Sequence, residues 1–187
     1  LILGTTLVDM YAKCGVLRKA QEVFEKLPLR DEVSWNVLMA GYAQLGESKR
    51  VLNLFRAMRL EGNMPDLVTF LVLLNACNHG GLVEEGILVF DHMINVYHLN
   101  PTLEHYTCIV DLLSRAGHFD KAGAVIDLVP SYNCLQLWLS ILGACCKLVN
   151  LELGIWAFEQ AMELDANCAS AYVCMGNIYA AAGMHEE

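Results

Sequence analysis

The sequence predicts an all-α protein, a right-handed superhelical solenoid of antiparallel helix-turn-helix repeats, and three residue series in one register predict it. Turn glycines stand at Gly15, Gly46, Gly81 and Gly117, Val149 takes the slot in a fifth copy and Gly183 in a sixth, giving spacings of 31, 35, 36, 32 and 34 residues. Five places after each turn comes a small or slender side chain: Ala20, Val51, Gly86, Ala122 and Gly154. Nine places after each turn comes a core anchor: Phe24, Phe55, Phe90, Ile126 and Phe158. A fixed period in this size range marks stacked supersecondary units.

The elements follow in order. Before each turn the apolar residues recur at helical spacing, as in Leu7, Met10 and Tyr11, and after it again, as in Val51, Leu54, Phe55 and Met58. The small residues would let paired helices approach closely. The prolines are Pro28, Pro65, Pro101 and Pro130, and each falls just after a second helix, which it cannot continue. No stretch sustains the alternation of a strand. One such hairpin cannot bury its own apolar faces, so neighbouring repeats must stack to complete the core.

Composition bounds the classes. With 56% hydrophobic and 18% charged residues the chain must bury a large core, which excludes disorder. The longest uncharged stretch, Ala166 to Met184, has the length of a membrane span, but it is amphipathic and contains Asn167, Ser170 and Asn177, so it reads as a buried helix and no membrane partner is expected. No charged start followed by an apolar core and a cleavage site is present, and Leu1 reads as a cut into a longer protein. The cysteines form no CxxC pair, Cys145 and Cys146 are adjacent, and Cys77, Cys108 and Cys174 lie in apolar helical windows. These are the marks of free, buried thiols in a reducing compartment, not of a zinc clamp or a disulfide framework.

A period near 34 fits both tetratricopeptide and pentatricopeptide repeats. The motifs separate them. LVDMYAKCGVLRKAQEVFEKLPLRD, ending at Asp31, resembles the short repeat of the plant pentatricopeptide subfamily that alternates short, standard and long repeats. EVSWNVLMAGYAQLG with LNLFRAMRLEGNMPD, ending at Asp66, resembles its standard repeat, and VTFLVLLNACNHGGLVEEG, running on to Thr102, its long repeat. LEHYTCIVDLLSRAGHFDKA resembles a last short repeat, while WLSILGACCKLVNLELG and AYVCMGNIYAAAGMHEE resemble the extension motifs that follow it. The resemblance implies a short repeat at 1–31, a standard repeat at 32–66, a long repeat at 67–102, a final short repeat at 103–134, a first extension repeat at 135–168 and the start of a second at 169–187.

It further implies binding of single-stranded organellar RNA, one base per repeat, in mitochondrion or chloroplast, with the mitochondrion preferred. The implied base-reading pairs are Thr5 with Asp31, Asn36 with Asp66, Leu71 with Thr102, and Thr107 with Cys134. By the family's pairing rule the first suggests guanine and the second uracil. Leu71 has no polar atom and would read nothing by hydrogen bonding, and Cys134 departs from the usual polar closing residue, which makes Thr107 and Cys134 the weak pair. The resemblance also implies a C-to-U RNA-editing factor whose C-terminal extension docks a deaminase or an accessory protein through residues 67–187. A tetratricopeptide-type protein scaffold, or a structural subunit of an organelle ribosome, is the alternative.

Charge divides the chain. Residues 1–66 hold nine Lys or Arg against eight Asp or Glu, and residues 67–187 hold three against thirteen. Phosphate contact is therefore expected from the first two repeats, through Lys13, Lys49 and Arg50, and a protein partner from the acidic remainder.

No catalysis is expected. His185, Glu186 and Glu187 match the H-x-E element of zinc deaminases, but no P-C-x-x-C follows. His79, His92, His98, His105 and His118 form no HExxH pair, and the glycines form no phosphate loop. No metal, cofactor or small-molecule substrate is implied.

Overall fold

The computed structural model describes residues 2–129 and 134–183. Its elements are α1 (Ile2–Lys13), α2 (Leu17–Glu25), α3 (Glu32–Gln44), α4 (Ser48–Leu60), α5 (Leu67–Gly80), α6 (Val83–Asn95), α7 (Leu103–Arg115), α8 (Phe119–Ile126), α9 (Leu135–Leu148), α10 (Leu151–Leu164) and α11 (Ala169–Ala181), with no strand among the described residues. Pro130 and the His185 to Glu187 run lie outside the described residues. The uncharged C-terminal stretch is the short helix α11, and no described helix is long and apolar enough to cross a membrane.

The helices fall into two compact units, residues 1–101 and 102–187. In the first, α1 pairs with α2, α3 with α4 and α5 with α6, while α1, α3 and α5 also pack on one another as a row. Among the described residues the second helices rest on first helices and not on each other. In the second unit α7 pairs with α8 and α9 with α10, and α7, α9 and α11 form the corresponding row.

Close approach within the row has a local cause. Gly41 of α3 lies against α1, where an added Cβ would stand 2.6 Å from the Ala12 Cβ. The slender second-helix residues serve the same end: Ala20, Val51 and Ala122 are buried, and a Cβ on Gly154 would meet Ile178 at 2.9 Å. Among the anchors Phe24, Phe90 and Ile126 are buried, the first edge-on to Trp35 with centroids 4.7 Å apart. Phe55 and Phe158 are only half-buried. Phe55 packs on Phe70 inside and carries the Arg59 guanidinium outside, and Phe158 packs on the exposed Tyr172, so each ring finishes at the surface.

The turns close as their glycines require. Gly81 ends α5 at φ 62°, donating its N–H to the Asn78 carbonyl while Leu82 donates to that of Cys77. The same left-handed conformation falls at Val149, with φ 54° and ψ 49°, where a β-branched side chain crowds its own carbonyl. Since Val149 is exposed and loses little packing, Val149→Gly should stabilise the chain by about 0.5–1 kcal/mol, read as a rise in urea midpoint. Gly41→Ala should do the opposite by about 1–3 kcal/mol, overriding alanine's better helix propensity, because the Ala12 methyl cannot rotate away. An unchanged midpoint for Gly41→Ala would mean that the row tolerates wider spacing.

Candidate nucleic-acid interface

Each first helix after α1 opens on a capping position: Asp31 for α3, Asp66 for α5, Thr102 for α7 and Cys134 for α9. Asp and Thr suit that place because a side-chain oxygen accepts a backbone N–H that the first turn cannot satisfy. Five residues into the helix stand Asn36, Leu71 and Thr107, with Thr5 on the matching turn of α1. Asn36 of one hairpin thus comes beside Asp66, the cap of the next.

One pair is fully assembled. Asn36 Nδ2 donates to Asp66 Oδ1 at 3.0 Å, and Thr69, on the first turn of α5, puts its hydroxyl 2.7 Å from Asn36 Oδ1. Asp66 Oδ1 also accepts the Thr69 N–H at 2.8 Å, and Thr69 Oγ1 accepts the Asp66 N–H at 3.2 Å. The ionised carboxylate only accepts, so the amide nitrogen must face it and the amide oxygen must face the threonine. The Thr69 hydroxyl also lies 2.8 Å from Asp66 Oδ1 but has a single proton, which goes to Asn36 Oδ1 because the carboxylate oxygen already holds two other donors. The network sets the Asn36 amide in one orientation and leaves it one N–H and one lone pair. At 6% exposure only that edge can meet a ligand. A donor and an acceptor side by side complement the N–H and carbonyl of a pyrimidine's hydrogen-bonding edge.

Burial by itself pushes the Asp66 carboxyl up, but the Thr69 N–H, the Asn36 amide and its own N–H outweigh that and hold it below its ordinary 3.8.

The other expected pairs differ. Asp31 caps α3 through the Ser34 N–H at 2.9 Å, but the Ser34 hydroxyl turns back to the Asp31 carbonyl at 2.8 Å, where its counterpart Thr69 turns to Asn36. Thr5 is half-buried on α1, which packs on α3. Thr107 donates its hydroxyl to the Leu103 carbonyl at 2.9 Å, and Cys134 makes no side-chain cap bond. Leu71 is a half-buried aliphatic on α5, and Thr102 places its hydroxyl 2.7 Å from His105 Nδ1.

The structure adds residues that sequence reasoning missed. Thr69 is one, although its place three residues after Asp66 is a capping-box signal. Val33 and Val68, each 53% exposed one turn before Asn36 and Leu71, present apolar surface beside the polar edge. Ala40, Ala43 and Gln44 continue the Asn36 face of α3 and, with Val72, Asn75 and His79 of α5, line a groove of about 210 Å³. Lys49 and Arg50 begin α4 and Lys13 ends α1, all at the turn end of their hairpins. Lys13 is paired with Asp9 at 2.7 Å, and the Arg50 guanidinium lies over the Tyr42 ring at 5.7 Å.

Among the described residues no three His, Cys, Asp or Glu side chains gather as for a metal. Burial, with Glu85 adding, pushes the Cys77 thiol up to about 12, and burial likewise raises Cys145 to about 12, so neither is a ready nucleophile.

Rows of first helices with second helices packed against them define a helical-hairpin repeat protein. The PPR repeat family pattern matches residues 30–79 and the PPR repeat pattern residues 5–31, 68–96 and 104–134, and the chain belongs to the pentatricopeptide repeat family. A pentatricopeptide repeat-containing protein of Arabidopsis thaliana is 42% identical across 100% of this chain and 19% of its own length. A chloroplastic one is 39% identical over 98% of this chain and 21% of its own, and a mitochondrial one 40% identical over 97% and 39%. The chain thus spans well under half the length of these curated relatives. The fold matches maize PPR10 with a TM-score of 0.75 at 22% identity, over 96% of this chain and 27% of that one. It also matches PPR10 in complex with an 18-nt psaJ RNA element (0.68, 21% identity, 97% and 26% of the chains) and the PPR domain of Arabidopsis thaliana PRORP1 in complex with tRNA (0.72, 16%, 92% and 95%). At these identities the likeness is one of fold.

A carboxyl held low contributes stability that is present above its unfolded value and is lost as pH falls from 3.8 through its folded value. Asp66→Asn should therefore cost about 1 kcal/mol at pH 7, and the gap to the parent chain should narrow at pH 3. Urea titrations at the two pH values check this, and an equal gap at both would show that the charge is not what stabilises the network.

Proposed function

We propose that this chain binds single-stranded RNA, one base per repeat, as the targeting part of an organelle C-to-U RNA-editing factor. The observation that carries the reading is the Asn36, Thr69 and Asp66 network, because it holds one amide edge in a single orientation in a nearly buried setting. A buried amide with both polar atoms directed is costly to organise unless its remaining edge is used. Val33 and Val68 supply apolar surface against which a base can rest, and Thr5 with Asp31 holds the equivalent place one repeat earlier. RNA-bound PPR10 supports the reading by its likeness of fold.

The repeats read as short, standard and long types followed by extension motifs. Residues 67–187, with three cations against thirteen acids, suit a deaminase or accessory protein better than a phosphate chain. The location is a mitochondrion or a chloroplast, since relatives carry both labels. The fragment itself is read as non-catalytic. The same acidity favours a second reading, a tetratricopeptide-type protein scaffold.

The test is low-salt binding to short RNAs that differ at a G-U step, with an Asn36→Ala, Asp66→Ala variant alongside. The parent chain should prefer uracil over cytosine by about fivefold, the worth of one well-placed hydrogen bond, and the variant should lose that preference. Lys49→Gln with Arg50→Gln should weaken all sequences alike and flatten the salt dependence. Failure to bind any RNA would move the function to the protein scaffold.

A further inference from the structure

The second unit contains a built cleft that base reading does not use. Phe119 and Asp120 at the start of α8 and Asn150, Glu152, Leu153 and Trp156 at the start of α10 line a space of about 340 Å³. Trp156 is 38% exposed, although its ring packs edge-on against the fully buried Trp138 with centroids 4.9 Å apart. The indole is thus held against the core and partly exposed. Phe119 and Leu153 are half-buried and add apolar wall.

Asp120 and Glu152 are exposed, and neither forms an ion pair among the described residues. Arg115 is paired with Asp111, and the remaining cations of the unit are Lys121 and Lys147. The two carboxylates sit in first turns, where the helix dipole favours acid. That accounts for their presence but not for the exposed indole that shares the cleft with them. Asn150 uses its Oδ1 to cap α10 by accepting the Leu153 N–H at 3.1 Å.

A partly exposed indole, apolar walls and two carboxylates without an ion pair among the described residues form the recognition set of a long cationic side chain. The alkyl stem lies on the walls, the charged head stacks on the indole, and its N–H donors reach the carboxylates. The sign of the charge excludes a phosphate backbone. We infer that this cleft takes an arginine or lysine side chain presented by a protein partner of the C-terminal unit. The inference rests on the proposal that residues 67–187 dock a protein, and it names the chemistry of that contact.

The test is calorimetric titration of the whole chain with a short peptide of alternating arginine and glycine, beside the same peptide carrying citrulline, which keeps the shape and loses the charge. The chain should prefer the arginine peptide by about tenfold, and its tryptophan emission should change on binding. Trp156→Leu, and separately Asp120→Asn with Glu152→Gln, should remove most of that preference, the second without disturbing the Trp138 contact. Glu159→Gln with Glu163→Gln, an equal charge change on α10 outside the cleft, should leave it intact. Equal loss in both charge variants would show attraction to the acidic unit as a whole and overturn the cleft, as would no preference in the parent chain. Either result leaves protein docking by other surfaces standing.

Discussion

A two-helix hairpin of this size cannot bury the apolar faces of both its helices, and this constraint organises everything else in the chain. Within each unit the first helices lie against one another, in the first so closely that Gly41 has room for no more than a hydrogen facing Ala12. The contact that completes the core also brings Asn36 of one helix beside Asp66, the capping residue of the next. The Asn36 network is therefore a product of stacking, since Asp66 and Thr69 belong to the helix after the one that carries Asn36. A hairpin alone would hold the amide in no fixed orientation.

The same cap does two kinds of work. As an N-cap, Asp66 satisfies the Thr69 N–H, and as an acceptor it turns the Asn36 amide. Helix capping and the orientation of the Asn36 amide are coupled at this residue, which restricts what can replace it. Asp31 shows the looser arrangement. There the serine hydroxyl turns back to the Asp31 carbonyl. Two neighbouring repeats with similar sequences thus differ in where the hydroxyl on the first turn is directed.

Charge and aromatic exposure assign the remaining surface. Cations concentrate in the first two repeats, and the acidic remainder exposes Trp156 beside Asp120 and Glu152. The Asn36 network thus lies in the cation-rich part of the sequence and the exposed indole in the acidic part.

Composition and period determined that this chain is a helical repeat protein, because Gly81 and its counterparts, the slender residues and the prolines each act within a single turn or hairpin. The candidate pairs were legible for the same reason, as polar residues recurring at a fixed place. Other matters only the tertiary structure decided. Thr69 joins Asn36 across thirty-three positions, Phe55 and Phe158 finish at the surface because an arginine or a tyrosine lies over them, and Trp138 is core while Trp156 opens onto a cleft. These depend on which groups from separate helices come within hydrogen-bond or van der Waals distance. Local residue patterns specify helices and turns, whereas the direction of a hydroxyl proton and the exposure of a ring are set by neighbours that only packing supplies.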